Sequence, residues 1–433
     1  MKHTLLYISF IFTFSFQAFS QNLNEQAMKQ AEALEDQVIE WRRYFHENPE
    51  LSNREFNTAA KIADHLKSLD IEVTEKVAYT GVIGILKGAK PGPVVALRAD
   101  IDALPVTERV DLAFKSEVVA EYNGQETGVM HACGHDTHIA ILMGVAEVLS
   151  GMKNELSGTV KFIFQPAEEG PPPGEKGGAK LMVEEGVLQS PDVDVIFGLH
   201  IAAGTPLGQL SYKSGGFMAA SDRFEITVKG TQAHGSTPWA SIDPIAISTQ
   251  IINSLQYIIS RNAELTKEAA VITVGMIQAG VRYNIIPEEA RFVGTIRTLD
   301  IGMQKMIHEK IEATAKNIAA ISGATAEVSI VNNAPLTYND PALTAKMIPS
   351  LKKATNPDQV KAIKAVTGAE DFSYFQEKVP GLYFFVGAKP ADQPYIQPLT
   401  GHHTPNFMLD EAAMLTGVKA MLNLTLDYME TEK

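Results

Sequence analysis

The sequence predicts an α/β fold, a mixed and largely parallel sheet flanked by helices, with a smaller ferredoxin-like domain inserted into it. Three observations carry the prediction. Continuous apolar runs, Val82–Leu86, Val94–Leu97, Val160–Phe164 and Val193–Leu199, alternate in their later part with helical patterns, as strands buried on both faces do. Between about Gly215 and Asn332 the order becomes β-α-β-β-α-β, the split ferredoxin-like unit. After Asn332 the first kind of pattern returns.

The elements follow in order. Lys2 and His3 precede an apolar run from Leu5 to Phe16, with small residues at Ala18 and Ser20. This is the layout of a cleavable secretory signal cut after Ser20. The run is short for a membrane span, and no cysteine follows it to carry a lipid. The expected location is therefore secreted or periplasmic, with no membrane contact after cleavage. The expected domains are a signal peptide over 1–20, a catalytic domain over 21–214 and 333–433, and the insertion over 215–332. Leu34, Val38, Trp41 and Phe45 recur at helical spacing before Pro49, and a second helix spans about Thr58 to Leu69. Helical patterns also cover Thr137–Leu149 and Gly178–Glu185. In the insertion, Phe224–Lys229, Ala270–Ile277, Glu289–Arg297 and Thr325–Val331 are strands, and Pro244–Ile259 and Met303–Ile321 are helices. A helix near Leu343–Lys353, a strand Leu382–Val386 and a helix Asp410–Met429 complete the chain.

Composition narrows the function. A formal net charge of −14 argues against nucleic acid as a partner, because phosphate binding needs a basic surface. The single cysteine, Cys133, cannot form an internal disulfide, so outside the cytoplasm it needs protection, for example by a metal.

The chemistry gathers around that cysteine. Cys133 stands two residues from His131 and two from His135, and a thiolate and imidazole at such spacing reach one borderline metal ion. A lone cysteine is often only a small buried hydrophobe. Other groups change the balance, because ligands in open α/β sheets bind beyond the carboxyl ends of the strands. Val94–Leu97 runs into Arg98-Ala-Asp100-Ile-Asp102, Val160–Phe164 into Gln165-Pro-Ala-Glu168-Glu169, and Val193–Leu199 into His200. Of two adjacent glutamates, one can bind metal while the other faces a water that the metal acidifies, which is what hydrolysis needs. Glu184-Glu185, at a helix end, reads instead as a solvated pair.

These residues lie in motifs that resemble the metal-dependent amidohydrolases of the aminoacylase and glutamate-carboxypeptidase type. The closest branch is that of hippurate hydrolases and auxin–amino acid conjugate hydrolases. The motifs are Arg98-Ala-Asp-Ile-Asp-Ala-Leu-Pro105, His131-Ala-Cys-Gly-His-Asp136, Phe164-Gln-Pro-Ala-Glu-Glu169, Gly198-Leu-His200, His234-Gly-Ser-Thr-Pro238, Asn284-Ile-Ile-Pro287 and Gly368-Ala-Glu-Asp-Phe372. The resemblance implies a zinc-exopeptidase-like fold whose insertion serves as lid and dimerisation domain. It implies two divalent ions, Zn or Mn first and Co or Ni tolerated, held by Cys133, His135, Glu169, His200 and a late histidine. His403 fits the His-x-Pro-x-aromatic pattern, with His402 as runner-up. Glu168 would be the general base, and Asp102 would orient a group of the metal site. His234 would stabilise the oxyanion, and Asn284 and Arg297 would hold the substrate carboxylate. Asp100 and His138 are left as structural or outer groups. The family often has histidine after the proline of the His-Gly-x-x-Pro turn, where this chain has Trp239. The Pro/Gly loop Gly170–Gly178 is either a pocket wall or a stiff connector. The function implied is metal-dependent hydrolysis of N-acyl amino acids by a homodimer, with a dipeptidase or carboxypeptidase as alternative and a silent binding protein as a remote one.

Overall fold

The structure, a computed structural model, describes residues 23–390 and 400–432. The expected signal peptide over 1–20 lies outside the described residues. Two compact units emerge, one made of Gly216–Tyr338 and Lys364–Ser373, the other of the remaining described chain.

The larger unit is built on an eight-stranded sheet. Its order is Glu72–Val77, Gly81–Lys87, Ser157–Gln165, Lys90–Asp100, Val195–Pro206, Gly381–Lys389, Leu210–Tyr212, Val360–Ala362. The four strands at the centre run parallel, while Gly81–Lys87 and Leu210–Tyr212 pair antiparallel to their inner neighbours. Register then fixes the level of the polar groups. Asp100 stands opposite Gln165, Arg98 opposite Gly198, and Phe385 opposite His200. The carboxyl ends of the strands thus bring Asp100, Gln165 and His200 to one edge, where such sheets bind ligands.

Helix His135–Gly151 packs on this sheet and against helices Glu35–Glu47 and Ala413–Thr431, and it is buried along most of its length. Close approach explains two of its contacts. A Cβ at Gly144 would meet Val38 Cγ2 at 2.9 Å, and one at Gly417 would meet Ile141 Cδ1 at 2.7 Å.

The smaller unit is a four-stranded antiparallel sheet in the order Ala270–Ala279, Glu289–Thr298, Ala220–Lys229, Thr325–Ala334. Helices Pro244–Arg261 and Ile301–Ile321 cover one face, and Asp243 and Asp300 accept backbone N–H bonds at their first turns. Phe224, Ile226, Ile251, Phe292, Ile307 and Ile311 form part of the core beneath them. Chain order gives β-α-β-β-α-β.

Three details differ from expectation. Helix His135–Gly151 starts two residues early, which places His135 on its first turn. The strand expected to end at Leu199 continues to Pro206, because Gly381–Lys389 pairs with it over that length. The smaller unit also recruits Lys364–Ser373, which sequence reasoning placed in the other domain. Ala219 N–H donates to Val366 O at 3.2 Å and Gly368 O at 2.8 Å, and Val366 N–H donates to Phe217 O at 3.0 Å. Ala365 packs on Ala219, Ala220, Leu299 and Leu336. Such an irregular, hydrogen-bonded segment leaves no periodicity to read.

Ile311 is fully buried in the smaller unit's core. Ile311→Ala should lower stability by about 2–5 kcal/mol, read as an earlier urea midpoint. An unchanged midpoint would contradict the packing described.

Candidate metal centre

Gly134 lies at φ +93°, and a Cβ there would come within 2.4 Å of Ile201 Cγ2. Only glycine suits both the backbone and the space. This turn carries Cys133 on one side and His135 on the other. His135 Nδ1–H donates to the Asp102 carbonyl at 2.8 Å, with Asp102 Oδ1 at 3.3 Å. Nδ1 is thereby engaged, and Nε2 faces Glu168 Oε2 at 3.8 Å and Glu169 Oε1 at 4.0 Å. That Nε2 is buried and has no hydrogen-bond partner.

A second convergence adjoins the first. Cys133 Sγ lies 3.4 Å from His200 Nε2 and 3.2 Å from His403 Nε2. His403 Nε2 is also 3.1 Å from Glu169 Oε1, an oxygen without a hydrogen bond of its own. His200 Nδ1–H donates to the Ile201 carbonyl at 2.6 Å, leaving Nε2 for the cluster. His402 is spent differently: Nε2 accepts from Ala203 N at 3.3 Å and Nδ1–H donates to Cys133 O at 3.1 Å. Of the two late histidines, it is His403 whose Nε2 faces Cys133 and Glu169.

The electrostatics of this edge are lopsided. Burial, reinforced by the carboxylates of Glu169, Glu168 and Asp100, pushes the Cys133 thiol well above its ordinary value. His135 is driven the other way from what burial alone would do, up to about 10, by Asp100 and Asp102. Burial leads the first shift and the two aspartates the second, and buried carboxylates contribute to both. A cation would offset their charge. The donors also suit one: ligand atoms bonded to a common ion at 2.0–2.3 Å sit about 3–3.6 Å apart, and the Sγ–Nε2 and Nε2–Oε1 distances are of that order. The groups Cys133/His135/His200, Cys133/Glu169/His403 and His135/Glu168/Glu169 could each hold an ion, and they share members.

Asp100 and His138 bond to each other beside the cluster. His138 Nδ1–H donates to Asp100 Oδ1 at 2.5 Å and its Nε2 accepts from Ile201 N at 2.8 Å, so neither nitrogen is available. Arg98 Nη1 donates to Asp100 Oδ2 at 2.7 Å inside the sheet. Burial opposes the charge on Asp100, but His135, His138 and Arg98 outweigh it and hold the carboxyl well below the usual range. Asp102 Oδ2 accepts from Glu169 N at 3.0 Å and Ser52 Oγ at 2.7 Å, so this carboxylate ties the His135 turn to the glutamate turn.

Adjacent glutamates can share one neighbour because of the residue before them. Ala167 has φ +52°, a left-handed conformation that costs a non-glycine residue about 1–2 kcal/mol. The chain bends there, and both carboxylates come within about 4 Å of His135 Nε2. His403, at φ +64°, shows the same strain on the opposite side of the cluster.

The remaining expected residues belong to the smaller unit. His234 pairs across strands with Ile285, beside Asn284, and Gly235 N–H donates to Asn284 O at 2.9 Å. His234 Nδ1 accepts from Ser236 N at 3.1 Å, so its hydrogen is on Nε2, which can donate. Asn284 Oδ1 is shielded and has no partner among the described residues. Arg297 stands opposite Ser221 and Val271, where burial draws its pKa down against the pull of Asp222. Trp239 is 82% exposed on a short 3-10 turn. The loop Gly170–Gly178 is tied to the 50–55 segment, since Asn53 Nδ2 donates to Glu175 Oε2 at 3.0 Å and to Lys176 O at 2.9 Å.

Several buried groups escaped sequence reasoning. Asp136 Oδ2 lies 2.7 Å from Arg42 Nε and 2.8 Å from His46 Nδ1, and His46 Nε2 reaches Glu108 Oε1 at 3.2 Å. Burial and Arg42 lower the His46 pKa, but its bonds to Asp136 and Glu108 prevail and raise it. Beside them, burial takes His131 down to about 3, and neither ring nitrogen has a partner. Glu55, also buried, is pushed up to about 8 by burial and by Asp102. Arg42 and His46 lie on helix Glu35–Glu47 and Glu55 just beyond it, where their spacing matches no ligand pattern.

Comparison with known proteins agrees with this geometry. Residues 96–427 match the profile of peptidase family M20/M25/M40. Thermostable carboxypeptidase 2 of Saccharolobus solfataricus is 41% identical over 94% of this chain and 99% of that protein. N-acetylcysteine deacetylase of Bacillus subtilis is 39% identical over 93% of this chain and 99% of its own length. The crystal structure of the Bacillus subtilis YXEP protein, described as a dinuclear metal binding peptidase, superposes with a TM-score of 0.76 at 36% identity, covering 92% of this chain and 99% of that one.

His131 gives the centre's surroundings a pH dependence. Its folded pKa of about 3 lies below the ordinary 6.5, so below 6.5 the unfolded chain binds a proton that the folded chain refuses. Its contribution to stability is full above 6.5 and falls as pH drops, by up to about 1.4 kcal/mol per pH unit. His131→Leu should flatten the acid limb of urea stability between about pH 7 and about pH 5; an unchanged slope would contradict this.

Proposed function

The chain belongs to peptidase family M20/M25/M40 and is a metal-dependent hydrolase, and we propose that its reaction is hydrolysis of the amide bond of N-acyl amino acids. The observation that carries the reading is the convergence of Cys133, His135, Glu169, His200 and His403 with Glu168 beside them. The resemblance to an N-acetylcysteine deacetylase supports the acyl substrate. These five side chains would hold two divalent ions, Zn or Mn by preference, with Co or Ni tolerated by the same donors. When bound, such ions polarise the scissile carbonyl and acidify water.

The chain's own groups do the rest. Glu168 takes a proton from the attacking water, the C–N bond breaks, and Glu168 returns the proton to the departing nitrogen. Asp102 keeps His135 in the tautomer that presents Nε2. His234 supplies its Nε2–H to the oxyanion, a donor of a kind commonly worth about 2.7–4 kcal/mol of barrier. Asn284 and Arg297 receive the carboxylate of the amino-acid half, for which a planar guanidinium is suited. A dipeptidase or carboxypeptidase reaction is the second reading, favoured by the likeness to a carboxypeptidase. A silent binding protein would have no need of Glu168.

Two further proposals concern the assembly. The edge strand Ala270–Ala279 exposes Met276 and Ile277, and Val281 and Tyr283 follow at 97% and 95% exposure. An open apolar edge is a template for another strand, and a second copy of this chain is the occupant we propose, giving a homodimer. Export is the other. It rests on the leader pattern of residues 1–20 and predicts a mature protein that starts near Gln21.

The chelated enzyme should be inactive on a panel of N-acetyl amino acids and dipeptides, and Zn²⁺ or Mn²⁺ should restore turnover. Glu168→Ala should lose about 10²–10⁴-fold in kcat while metal content, measured by mass spectrometry, stays unchanged. Turnover that survives the substitution would overturn the assignment, and a preference for dipeptides would select the second reading. Separately, Ile277→Lys combined with Met276→Lys should convert a dimer to a monomer in sedimentation, with the circular dichroism unchanged.

A further inference from the structure

Segment Glu50–Glu55 lies upstream of residues 96–427, the part matched by the family profile, yet it grips the catalytic edge at several points. Ala103 N–H donates to Glu50 O at 2.8 Å, and Ser52 Oγ donates to Asp102 Oδ2 at 2.7 Å. Arg54 pairs with Glu175 at 2.5 Å. The most telling member is Glu55. It is fully buried, Oε2 accepts from Thr80 Oγ1 at 2.6 Å, and Oε1 accepts from Ala167 N–H at 3.0 Å.

Ala167 is the left-handed residue immediately before Glu168 and Glu169. Relaxing its φ to the ordinary negative region would swing both carboxylates away from His135. The backbone N–H of a strained residue is an effective place to hold it, because that bond is lost when the peptide rotates. Solvent cannot replace it, since Ala167 is 1% exposed.

We propose that Glu55 is a positioning residue for the reaction: by holding the Ala167 N–H it keeps Glu168 and Glu169 aimed at the same neighbour. It touches neither substrate nor metal and acts through the turn alone. The inference rests on the roles given above to Glu168 and Glu169.

The test compares Glu55→Ala, Glu55→Gln and the double variant Glu55→Ala/Ala167→Gly in the full-length, metal-loaded enzyme. Misplacement of a reacting group by about 1 Å costs on the order of 10²-fold, so Glu55→Ala should lower kcat about 30–100-fold with KM within about 3-fold. Glu55→Gln keeps an acceptor for Ala167 N–H and should stay within about 3-fold of the parent. Glycine adopts positive φ without strain, so the double variant should recover about 10-fold or more of the loss. A kcat that Glu55→Ala leaves unchanged while lowering the melting temperature would mean a merely structural role, as would failure of Ala167→Gly to rescue. Should Glu55→Ala not fold, Glu55→Asp, whose shorter arm cannot reach both partners, is read by the same kcat and KM. Loss of activity in Glu168→Ala, measured alongside, keeps the two ideas separable: parent-like activity in that variant defeats the reading of the site, while parent-like activity in Glu55→Ala defeats this inference alone.

Discussion

Carboxylates crowd the interior at one edge of the central sheet, and the rest of the site is arranged around their charge. Asp100, Asp102 and Asp136 are fully buried, and Glu168 and Glu169 are nearly so. Arg98 and Arg42 neutralise one each, and imidazoles must answer the rest. Charge in the interior is costly unless it is paired, and a cation held among these side chains would lower that cost. Buried carboxylates add to the burial that raises the Cys133 thiol and outweigh the burial that would lower the His135 imidazole.

That crowding is focused by backbone conformations that the chain would not adopt unaided. Gly134, Ala167 and His403 all lie at positive φ, and each neighbours or is a candidate ligand. Glycine takes such a conformation freely, whereas alanine and histidine must be held. The holding contacts come from distant sequence. Glu55 serves Ala167, and His403 N–H donates to Ala132 O at 2.8 Å. Two strained residues thus flank the cluster.

Much of this was legible in the sequence, for reasons that differ by residue. Parallel strands announce themselves as apolar runs, and the groups that follow them must lie at one edge. Asp100, Asp102, Glu168, Glu169 and His200 could therefore be placed together by pattern. The preference for His403 over His402 rests on a motif, and local spacing does not show that both nitrogens of His402 bond to backbone. Glu55, His46 and Arg42 were invisible because their partners lie far along the chain and nothing in local spacing marks them. Short strands such as Leu210–Tyr212 and Val360–Ala362 carry too few residues to show a period. Segment Lys364–Ser373 joins the smaller unit through backbone bonds, which side-chain patterning does not encode.

The placement of strand Gly381–Lys389 has a consequence for how the protein is made. This late strand pairs with Val195–Pro206 near the middle of the sheet, and the still later helix Ala413–Thr431 is buried against helix His135–Gly151. A ribosome delivers the amino-terminal half of that sheet well before its central partner. Until then the apolar faces of Val195–Pro206 and His135–Gly151 are uncovered. The larger unit therefore cannot complete its fold until almost the whole chain is made, and apolar surface exposed in the interval favours aggregation.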